Sequence, residues 1–359
     1  TAIGSCALQA NTTADNNTAV GLRALLANTT GQCNSAFGMS SMQANTTGDN
    51  NTAIGAGALI TNTTSNNNTA VGRNALNANT AAENTAVGYL SISVNPSGNS
   101  NTEVGVCSLR NATTVNNNTA VGVCAMEATT TGAKNTAVGF SAMDTNTTGC
   151  ENVAVGRDTM FSGTTACRSV AVGYRSLKDV TTGSNNTAVG FCALKSNTTG
   201  ATNSAFGNYA LLSNTTANDN NAFGYNALGL NTTGANNVAM GRNALLSNTT
   251  ADSNTAVGFN SLCANTTGTQ NVAIGSNALD ANTTGGYSVA VGNGALSAQT
   301  TGANNVAVGR TALAALTTGT RNTVVGGSYA LGAGAAVTTG YHNVIVGNDA
   351  AGTTTTGHN

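Results

Sequence analysis

Charged and bulky side chains are scarce in this sequence. Charged residues make up 7% and aromatic residues 4%, and the 359 residues include one proline and no tryptophan. The low charge and low proline content are not typical of disordered chains, which are usually rich in both. Too few large side chains are present to fill two ordinary globular cores, so the composition predicts a folded chain with an unusually thin interior.

Several function classes are disfavoured by what is missing. No run of about 18 apolar residues occurs, so no membrane span is expected in this segment. The net charge is −1 without a basic patch, which makes nucleic acid an unexpected partner. Two histidines and 13 scattered acidic residues form no recognisable catalytic, metal or cofactor pattern. We therefore expect a protein that is not an enzyme and holds no cofactor.

A short internal repeat fills the chain instead. An apolar residue followed by glycine recurs at 21 places, and 18 of the 20 intervals between these glycines have the same seventeen-residue length that separates Gly4 from Gly21. The glycines are at positions 4, 21, 38, 55, 72, 88, 105, 122, 139, 156, 173, 190, 207, 224, 241, 258, 275, 292, 309, 326 and 347. With this glycine as position 0, the consensus is G-x-x-A-L-x-x-N-T-T-G-x-x-N-T-A-V, which ends at position +16.

The repeat is interrupted at two places. The interval from Gly72 to Gly88 is one residue shorter than the others, and the interval from Gly326 to Gly347 is lengthened by an insertion around Leu331–Ala336. Irregular coils are therefore expected near 73–88 and 327–347. No shift in composition marks a linker, so residues 1–359 are predicted to form a single continuous array. The chain begins at Thr1 and ends at Asn359 within the repeat, which we interpret as a segment of a longer array or a unit that stacks end to end.

A seventeen-residue period predicts an all-β fold, a parallel β-solenoid of about 21 coils. Helical repeats need about 33 residues or more, whereas N-T-A-V alternates as a strand does. This pattern predicts that +14 and +16 point inward and +15 outward, and that A-L at +3 and +4 forms a second strand facing them. The glycine at 0 would make one turn. N-T-T-G would make the other, with Gly at +10 taking positive φ.

Position +13 is Asn in 18 of 20 repeats. Stacked amides can hydrogen-bond from coil to coil, so this column predicts an Asn ladder; a simple turn preference of Asn is the alternative. The predicted ladder consists of Asn17, Asn34, Asn51, Asn68, Asn84, Asn101, Asn118, Asn135, Asn152, Asn186, Asn203, Asn220, Asn237, Asn254, Asn271, Asn305, Asn322 and Asn343.

Two further columns indicate an interface. Position +15 is Ala in 18 of 21 repeats, and an outward Ala suggests either a tight contact between chains or a flat wall covered by a neighbouring segment. Position +1 carries aromatic residues interleaved with Arg, both enriched at interfaces; scattered surface aromatics are the alternative. The interface candidates are Tyr89, Phe140, Tyr174, Phe191, Tyr225 and Phe259.

Four of the eight cysteines fall in matching positions of successive coils. Cys107 and Cys124 share position +2, and Cys150 and Cys167 share position +11. Equivalent Cα atoms of stacked coils lie ~4.8 Å apart, within the range that a disulfide tolerates. The sequence therefore predicts disulfides Cys107–Cys124 and Cys150–Cys167, and with them an extracellular location.

Asn-Thr-Thr at position +7 is formally an N-glycosylation acceptor. The alternative is that N-T-T-G is only a favourable turn, and Thr-linked sugars are equally compatible with it. The glycosylation candidates are Asn11, Asn28, Asn45, Asn62, Asn146, Asn197, Asn214, Asn231, Asn248, Asn265 and Asn282.

Two stretches resemble a known surface family. The sequences Asn305-Val306-Ala307-Val308-Gly309 and Asn271-Val272-Ala273-Ile274-Gly275 resemble the head repeats of YadA-like trimeric autotransporter adhesins. The longer unit that begins at Asn254 looks like repeats of phage tail fibres. The resemblance implies a left-handed parallel β-roll assembled as a trimer. The period of the adhesin repeats is shorter than the period of this chain.

These observations favour a structural extracellular fibre or filament, with possible glycosylation, on a cell or virion surface. Its main partner would be itself, as a homo-oligomer, a trimer or an end-to-end filament. An adhesin or tail-fibre shaft that presents a receptor-binding tip to a host surface or glycan is the alternative. Ice binding is a minor alternative, because it needs a flat array of threonines. The adjacent threonines at +8 and +9 should instead face opposite ways.

Overall fold

The computed structural model describes residues 1–327 and 338–347. The insertion around Leu331–Ala336, residues 328–337 of the irregular stretch near 327–347 and the end of the chain at 348–359 lie outside the described residues. The chain divides into two compact units, Thr1–Thr182 and Gly183–Asn359. The single continuous array over 1–359 stays a prediction.

Each unit is built of very short strands, one in every coil. The first unit contains β1 (Ala2–Ile3), β2 (Thr18–Val20), β3 (Ser35–Phe37), β4 (Thr52–Ile54), β5 (Thr69–Val71), β6 (Thr85–Val87), β7 (Thr102–Val104), β8 (Thr119–Val121), β9 (Thr136–Val138), β10 (Val153–Val155) and β11 (Val170–Val172). The second contains β12 (Thr187–Val189), β13 (Ser204–Phe206), β14 (Asn221–Phe223), β15 (Val238–Met240), β16 (Thr255–Val257), β17 (Val272–Ile274), β18 (Val289–Val291), β19 (Val306–Val308), β20 (Thr323–Val325) and β21 (Val344–Val346).

The strands pair in parallel with a register of one repeat. Thr18 lies beside Ser35 and Ala19 beside Ala36, and β13 pairs with β14 in the same way, with Ala205 beside Ala222. Each strand therefore adds one layer to a stack of coils, which confirms the parallel β-solenoid and its seventeen-residue repeat. Its left-handedness and trimeric state stay predictions.

The prediction of a second strand at A-L is wrong. Each coil has one strand, and the A-L segment lies in a turn where Leu25 has φ of 50° and Arg23 at +2 has φ of 60°. A strand requires negative φ. The backbone still bonds from coil to coil here, with the Leu25 amide donating to the Ser41 carbonyl at 3.0 Å. The segment thus gains inter-coil hydrogen bonds without strand geometry.

The predicted direction of the strand side chains is also reversed. Ala19 at +15 is completely buried, whereas Thr18 and Val20 on either side of it are only half-buried. Ala24 at +3, Leu25 at +4 and the Asn residues at +7 and +13 are completely buried too in the regular coils. Leu and two amides fill the narrow interior, so the small Ala is favoured beneath the strand, although Glu103 and Val324 are buried there in two coils. The Ala column therefore forms core, and neither predicted explanation for an outward Ala applies.

Glycine predominates at both positions, for different reasons. Gly21 at position 0 has φ of +136°, and an added Cβ would lie 2.6 Å from the Gly38 carbonyl oxygen of the next coil. Gly31 at +10 does not have the positive φ that was predicted. Its Cβ would instead lie 2.5 Å from the Gly48 carbonyl oxygen and 2.6 Å from Asn28 Oδ1. Close approach, not backbone conformation, selects glycine at +10.

The short interval between Gly72 and Gly88 interrupts the buried polar pairing. Asn79 Nδ2 donates to the Ala81 carbonyl at 2.6 Å instead of reaching the amide of the preceding coil. Asn62 Oδ1 and Asn68 Nδ2, both buried, are left without a hydrogen-bond partner. The irregularity predicted near 73–88 is therefore present, as a local break in amide pairing with the strand register preserved between β5 and β6.

Candidate functional site: asparagine ladders and outward faces

The +13 asparagines join successive coils as predicted, but mainly through the backbone. Asn17 Oδ1 accepts the Asn34 amide at 2.9 Å, and Asn17 Nδ2 donates to the Gly31 carbonyl at 2.7 Å. Direct contacts between side-chain amides occur as well, such as Asn101 Nδ2 to Asn84 Oδ1 at 3.0 Å. Bonds of this kind continue to Asn343 in the last described coil. Burial makes this pairing structurally important, because an unpaired amide would cost about 1–3 kcal/mol.

A second ladder is formed by the +7 asparagines, the predicted glycosylation candidates. Asn45 Nδ2 donates to Asn28 Oδ1 at 2.8 Å and to the Gly48 carbonyl at 3.0 Å. In the second unit, Asn231 Nδ2 donates in the same way to Asn214 Oδ1 at 2.9 Å. The +7 column therefore has the same structural role as the +13 column, on the opposite side of the turn.

This ladder argues against N-glycosylation at ten of the eleven candidates, where it stays a prediction. A sugar would be attached to Nδ2, the atom that here donates hydrogen bonds inside the coil. Asn11 is only half-buried, and the other ten are buried. The ten buried candidates are Asn28, Asn45, Asn62, Asn146, Asn197, Asn214, Asn231, Asn248, Asn265 and Asn282. Modification at these positions is incompatible with the folded coil.

The two threonines of N-T-T-G face different environments, as expected. Thr29 at +8 is half-buried and its hydroxyl donates to the Thr46 carbonyl at 3.0 Å. Thr30 at +9 is exposed. The first hydroxyl therefore contributes to inter-coil bonding, and the second belongs to the outer surface, where Thr-linked sugars remain sterically possible.

Both predicted disulfides are thiol pairs in the structure. Cys150 Sγ and Cys167 Sγ are 2.8 Å apart, so the predicted adjacency is present without the bond. Their mutual hydrogen bond, followed by burial, raises the pKa of Cys150 to about 11. Burial, followed by a hydrogen bond to Glu127, raises the pKa of Cys124 to about 12. Because the thiolate is the reactive form, the raised pKa values make Cys150 and Cys124 less reactive than ordinary thiols at neutral pH.

Most charged side chains near these thiols are engaged in ion pairs between neighbouring coils. Arg110 contacts Glu127 at 3.5 Å, and Arg175 contacts Asp158 at 3.3 Å. The first pair is solvent-accessible and contributes about 0–1 kcal/mol, whereas Asp158 in the second is buried. Nothing in this arrangement places an acid, a base and a nucleophile together.

The aromatic interface candidates lie on the outside of the coils. Tyr89, Phe140, Phe191, Tyr225 and Phe259 are exposed, and Tyr174 is half-buried. Several rings contact an arginine, with Arg242 lying over Tyr225 at 5.7 Å. These positions are compatible with an interface, and the contact between chains stays a prediction.

The second unit contains two groups of contacting aromatic rings. Phe206 and Phe223 stack with centroids 4.8 Å apart, and Tyr209 makes edge contacts with Phe191 at 5.4 Å and Tyr225 at 5.8 Å. We call these five residues the aromatic patch. Tyr209 and the +16 positions Phe206 and Phe223 were absent from the predicted interface. The reversed direction of the strands explains the omission, since +16 was expected to point inward.

One buried acid has no counterpart in the consensus. Glu103 occupies the Ala column in β7, is completely buried, and neither carboxylate oxygen has a hydrogen-bond partner. Burial raises its pKa well above the ordinary value. The consensus is relaxed around it, with Ala112 in place of the +7 Asn and Val115 in place of the +10 Gly. The replacement of Ala by Glu at a +15 position was the signal that could have identified it.

Over residues 1–327 and 338–347, no group of three or more His, Cys, Asp or Glu side chains is placed to hold a metal ion. No helix among those residues is long and apolar enough to cross a membrane. A scan against models of known protein families finds no match, and a search of curated proteins finds none either. Function is therefore inferred from the coil geometry and from the residues that resemble surface fibres.

Proposed function

We propose that this chain is a structural fibre protein whose coils are rigid spacers. The observation that carries the proposal is the repetition of the same inter-coil bonds in successive coils. A coil contributes its strand pairing, a +8 threonine bond and two buried asparagine contacts to its neighbour, as at Asn45 and Thr46. Stability in such an array is approximately a sum of nearest-neighbour terms, so length can be extended without redesign.

Self-association through the aromatic patch is part of this proposal. Phe206, Phe223 and Tyr225 are each 37–44% exposed, although aromatic side chains stabilise a protein most when buried. Phe259 adds a further exposed ring at +1, with Arg242 between it and Tyr225, and the patch carries no acidic side chain. A second copy of the chain fits such a surface, and the resemblance to trimeric adhesin heads favours three copies.

An extracellular location is proposed from the resemblance alone. Thiols at Cys107, Cys124, Cys150 and Cys167 remove the support that disulfides would have given. Any sugar coat would have to use exposed hydroxyls such as those of the +9 threonines, because the +7 asparagines are buried.

A shaft of an adhesin or tail fibre is the second candidate. The Asn-Val-Ala-Val-Gly stretch ending at Gly309 favours it, because its resemblance is to proteins of that kind. In that case recognition of a host surface or glycan would belong to a tip outside these coils.

Mass per unit length, measured by scanning transmission electron microscopy, tests the fibre and its chain number. With 35.2 kDa in 359 residues and one seventeen-residue coil per rise of ~4.8 Å, one chain gives about 0.35 kDa per Å. Rods near three times that value would support a trimer, and rods near the single-chain value would refute association. Compact particles without a constant mass per length would refute the fibre. Phe223→Ser should lower the value if the aromatic patch joins chains, whereas Thr233→Ser on the outer turn should not.

A further inference from the structure

A second outward surface, on the first unit, has a more regular chemistry than the aromatic patch. Five successive strands, β5 to β9, present Thr at +14 and Val at +16: the pairs are Thr69 and Val71, Thr85 and Val87, Thr102 and Val104, Thr119 and Val121, and Thr136 and Val138. We call these ten side chains the T-x-V face. No coil within this stretch substitutes either position.

The T-x-V face is a two-dimensional lattice of hydroxyl and methyl groups. Parallel pairing in exact register places Thr102 beside Thr119 and Val104 beside Val121. Neighbouring strands are ~4.8 Å apart, and two residues along a strand span about 6.6 Å. The side chains are too short to change these spacings, and β-branching fixes their rotamers. The face is therefore periodic in both directions and stiff.

Its hydroxyl groups are available to a ligand. The threonines at +8 donate to carbonyls of the next coil, as Thr113 does to Thr130 at 2.7 Å. None of the five hydroxyls of the T-x-V face has a protein partner within the described coils. Thr102 and Val104 are exposed, and the other eight side chains of the face are half-buried.

Charge complementarity limits what can cover this face. Glu103 is the one charged side chain in β5 to β9, and it points into the interior. A charged polymer or membrane headgroup would find no counter-charge there. A neutral partner with its own lattice, able to accept and donate hydrogen bonds at every repeat and to enclose methyl groups, fits better.

We propose that the T-x-V face binds ice. Ordered water satisfies the hydroxyl rows and surrounds the methyl rows, and a stiff lattice loses little entropy on binding. The centre of the face is at β7 and β8, where the flanking +1 residues are Val106 and Val123. Bulkier side chains, Tyr89 and Phe140, occupy +1 of the coils on either side. The ice-binding threonines are therefore those at position +14, not the pair at +8 and +9 considered from the sequence.

Thermal hysteresis of the full chain, measured by nanolitre osmometry, tests the inference. The wild type should separate melting from freezing and shape the ice crystal. Thr119→Tyr, at the centre of the face, should reduce the hysteresis about twofold or more, since central contacts dominate an interface. Thr131→Tyr, exposed at +9 of the following coil, is the matched control and should leave hysteresis unchanged. Circular dichroism of both variants verifies that the coils are intact.

Three outcomes would overturn the inference. The first is a wild type without hysteresis that is also excluded from a growing ice hemisphere. The second is an equal loss in Thr119→Tyr and Thr131→Tyr. The third is dissociation of an oligomer by Thr119→Tyr in sedimentation, which would assign the face to a contact between copies. A wild type that shows no hysteresis but is retained on crystalline cellulose would also overturn the inference, and it would assign the face to a polysaccharide.

Discussion

Glu103 should make the stability of the first unit depend on pH. Its carboxyl is completely buried with no hydrogen-bond partner, and burial raises its pKa well above the ordinary value near 4.5. Below pH 4.5 the group is protonated in both folded and unfolded chains, so it adds no pH-dependent cost. Above that pH the unfolded chain releases the proton and the folded chain retains it.

The sign and size of the effect follow from proton linkage. Because the folded state binds more protons, its stability falls as pH rises through the interval between the two pKa values. The fall is about 1.4 kcal/mol per pH unit across that interval.

Glu103→Gln is the informative perturbation. It keeps the size of the side chain and its unpaired polar atoms but removes the ionisation. The pH dependence that Glu103 gives to the unfolding free energy should therefore disappear, whatever the variant does to absolute stability. Glu83→Gln is the matched control, because Glu83 is exposed and lies in the preceding coil.

Urea unfolding at pH 5, 6 and 7, followed by circular dichroism, supplies the slopes. The unfolding free energy of the wild type relative to Glu103→Gln should fall as the pH rises, by at most about 1.4 kcal/mol per unit, and Glu83→Gln should follow the wild type. Parallel curves for the wild type and Glu103→Gln would refute the reasoning, because they would mean that the carboxylate is hydrated or paired when ionised.

Four other predictions concern the coils. Gly139→Ala should cost at least about 2 kcal/mol, because φ is +141° and Cβ would lie 2.4 Å from the Gly156 oxygen; Gly294→Asn, at a +2 position where Asn is common, should unfold in urea as the wild type does, and equal losses would contradict the steric argument. Insertion of a glycine between Ala81 and Ala82 restores the regular coil length and should raise the melting temperature by pairing Asn62 Oδ1 and Asn68 Nδ2, each pairing being worth about 1–3 kcal/mol at most; a lower melting temperature than wild type would count against the proposed break. Cys150 and Cys167 should form a disulfide much faster at pH 10 than at pH 7, as followed by intact mass under oxidant, with Cys150→Ser as the control; a rate independent of pH would contradict the raised pKa. A glycosylating host should leave Asn214 unmodified in the folded chain, and peptide mass spectrometry showing a sugar there would refute the buried ladder.

The period of the sequence determined the strand positions and register, because each coil copies the hydrogen bonding of its neighbour. The direction of the side chains could not be predicted from alternation, which defines two faces without saying which one is inside. The large apolar Val20 was assigned inward and Ala19 outward, but Leu25 and two amides leave little room, which favours the smaller Ala. The side-chain volume that the coil interior can hold decided which face of the strand points inward. That volume depends on the folded cross-section and cannot be read from alternation alone.

The turns were harder to predict, for a related reason. Leu25 has positive φ, which Leu has no intrinsic tendency to adopt, so no local propensity identifies it. The +7 asparagine was interpreted through its sequon because N-T-T-G is also favourable turn chemistry. Its column could have been recognised as a ladder by the same reasoning that identified +13, namely identical amides stacked in register.

The two amide ladders also bear on how such a protein ages. Asparagine hydrolyses slowly to aspartate, and within a ladder that reaction would place a carboxylate in the interior, as Glu103 does in one coil. Amides held at both Oδ1 and Nδ2, such as Asn45, are restrained from the rearrangement that starts the reaction. Asn62 and Asn68 lack part of that restraint beside the short coil. Conversion of asparagine to aspartate should therefore begin at this interruption in the repeat and be slower in the regular coils.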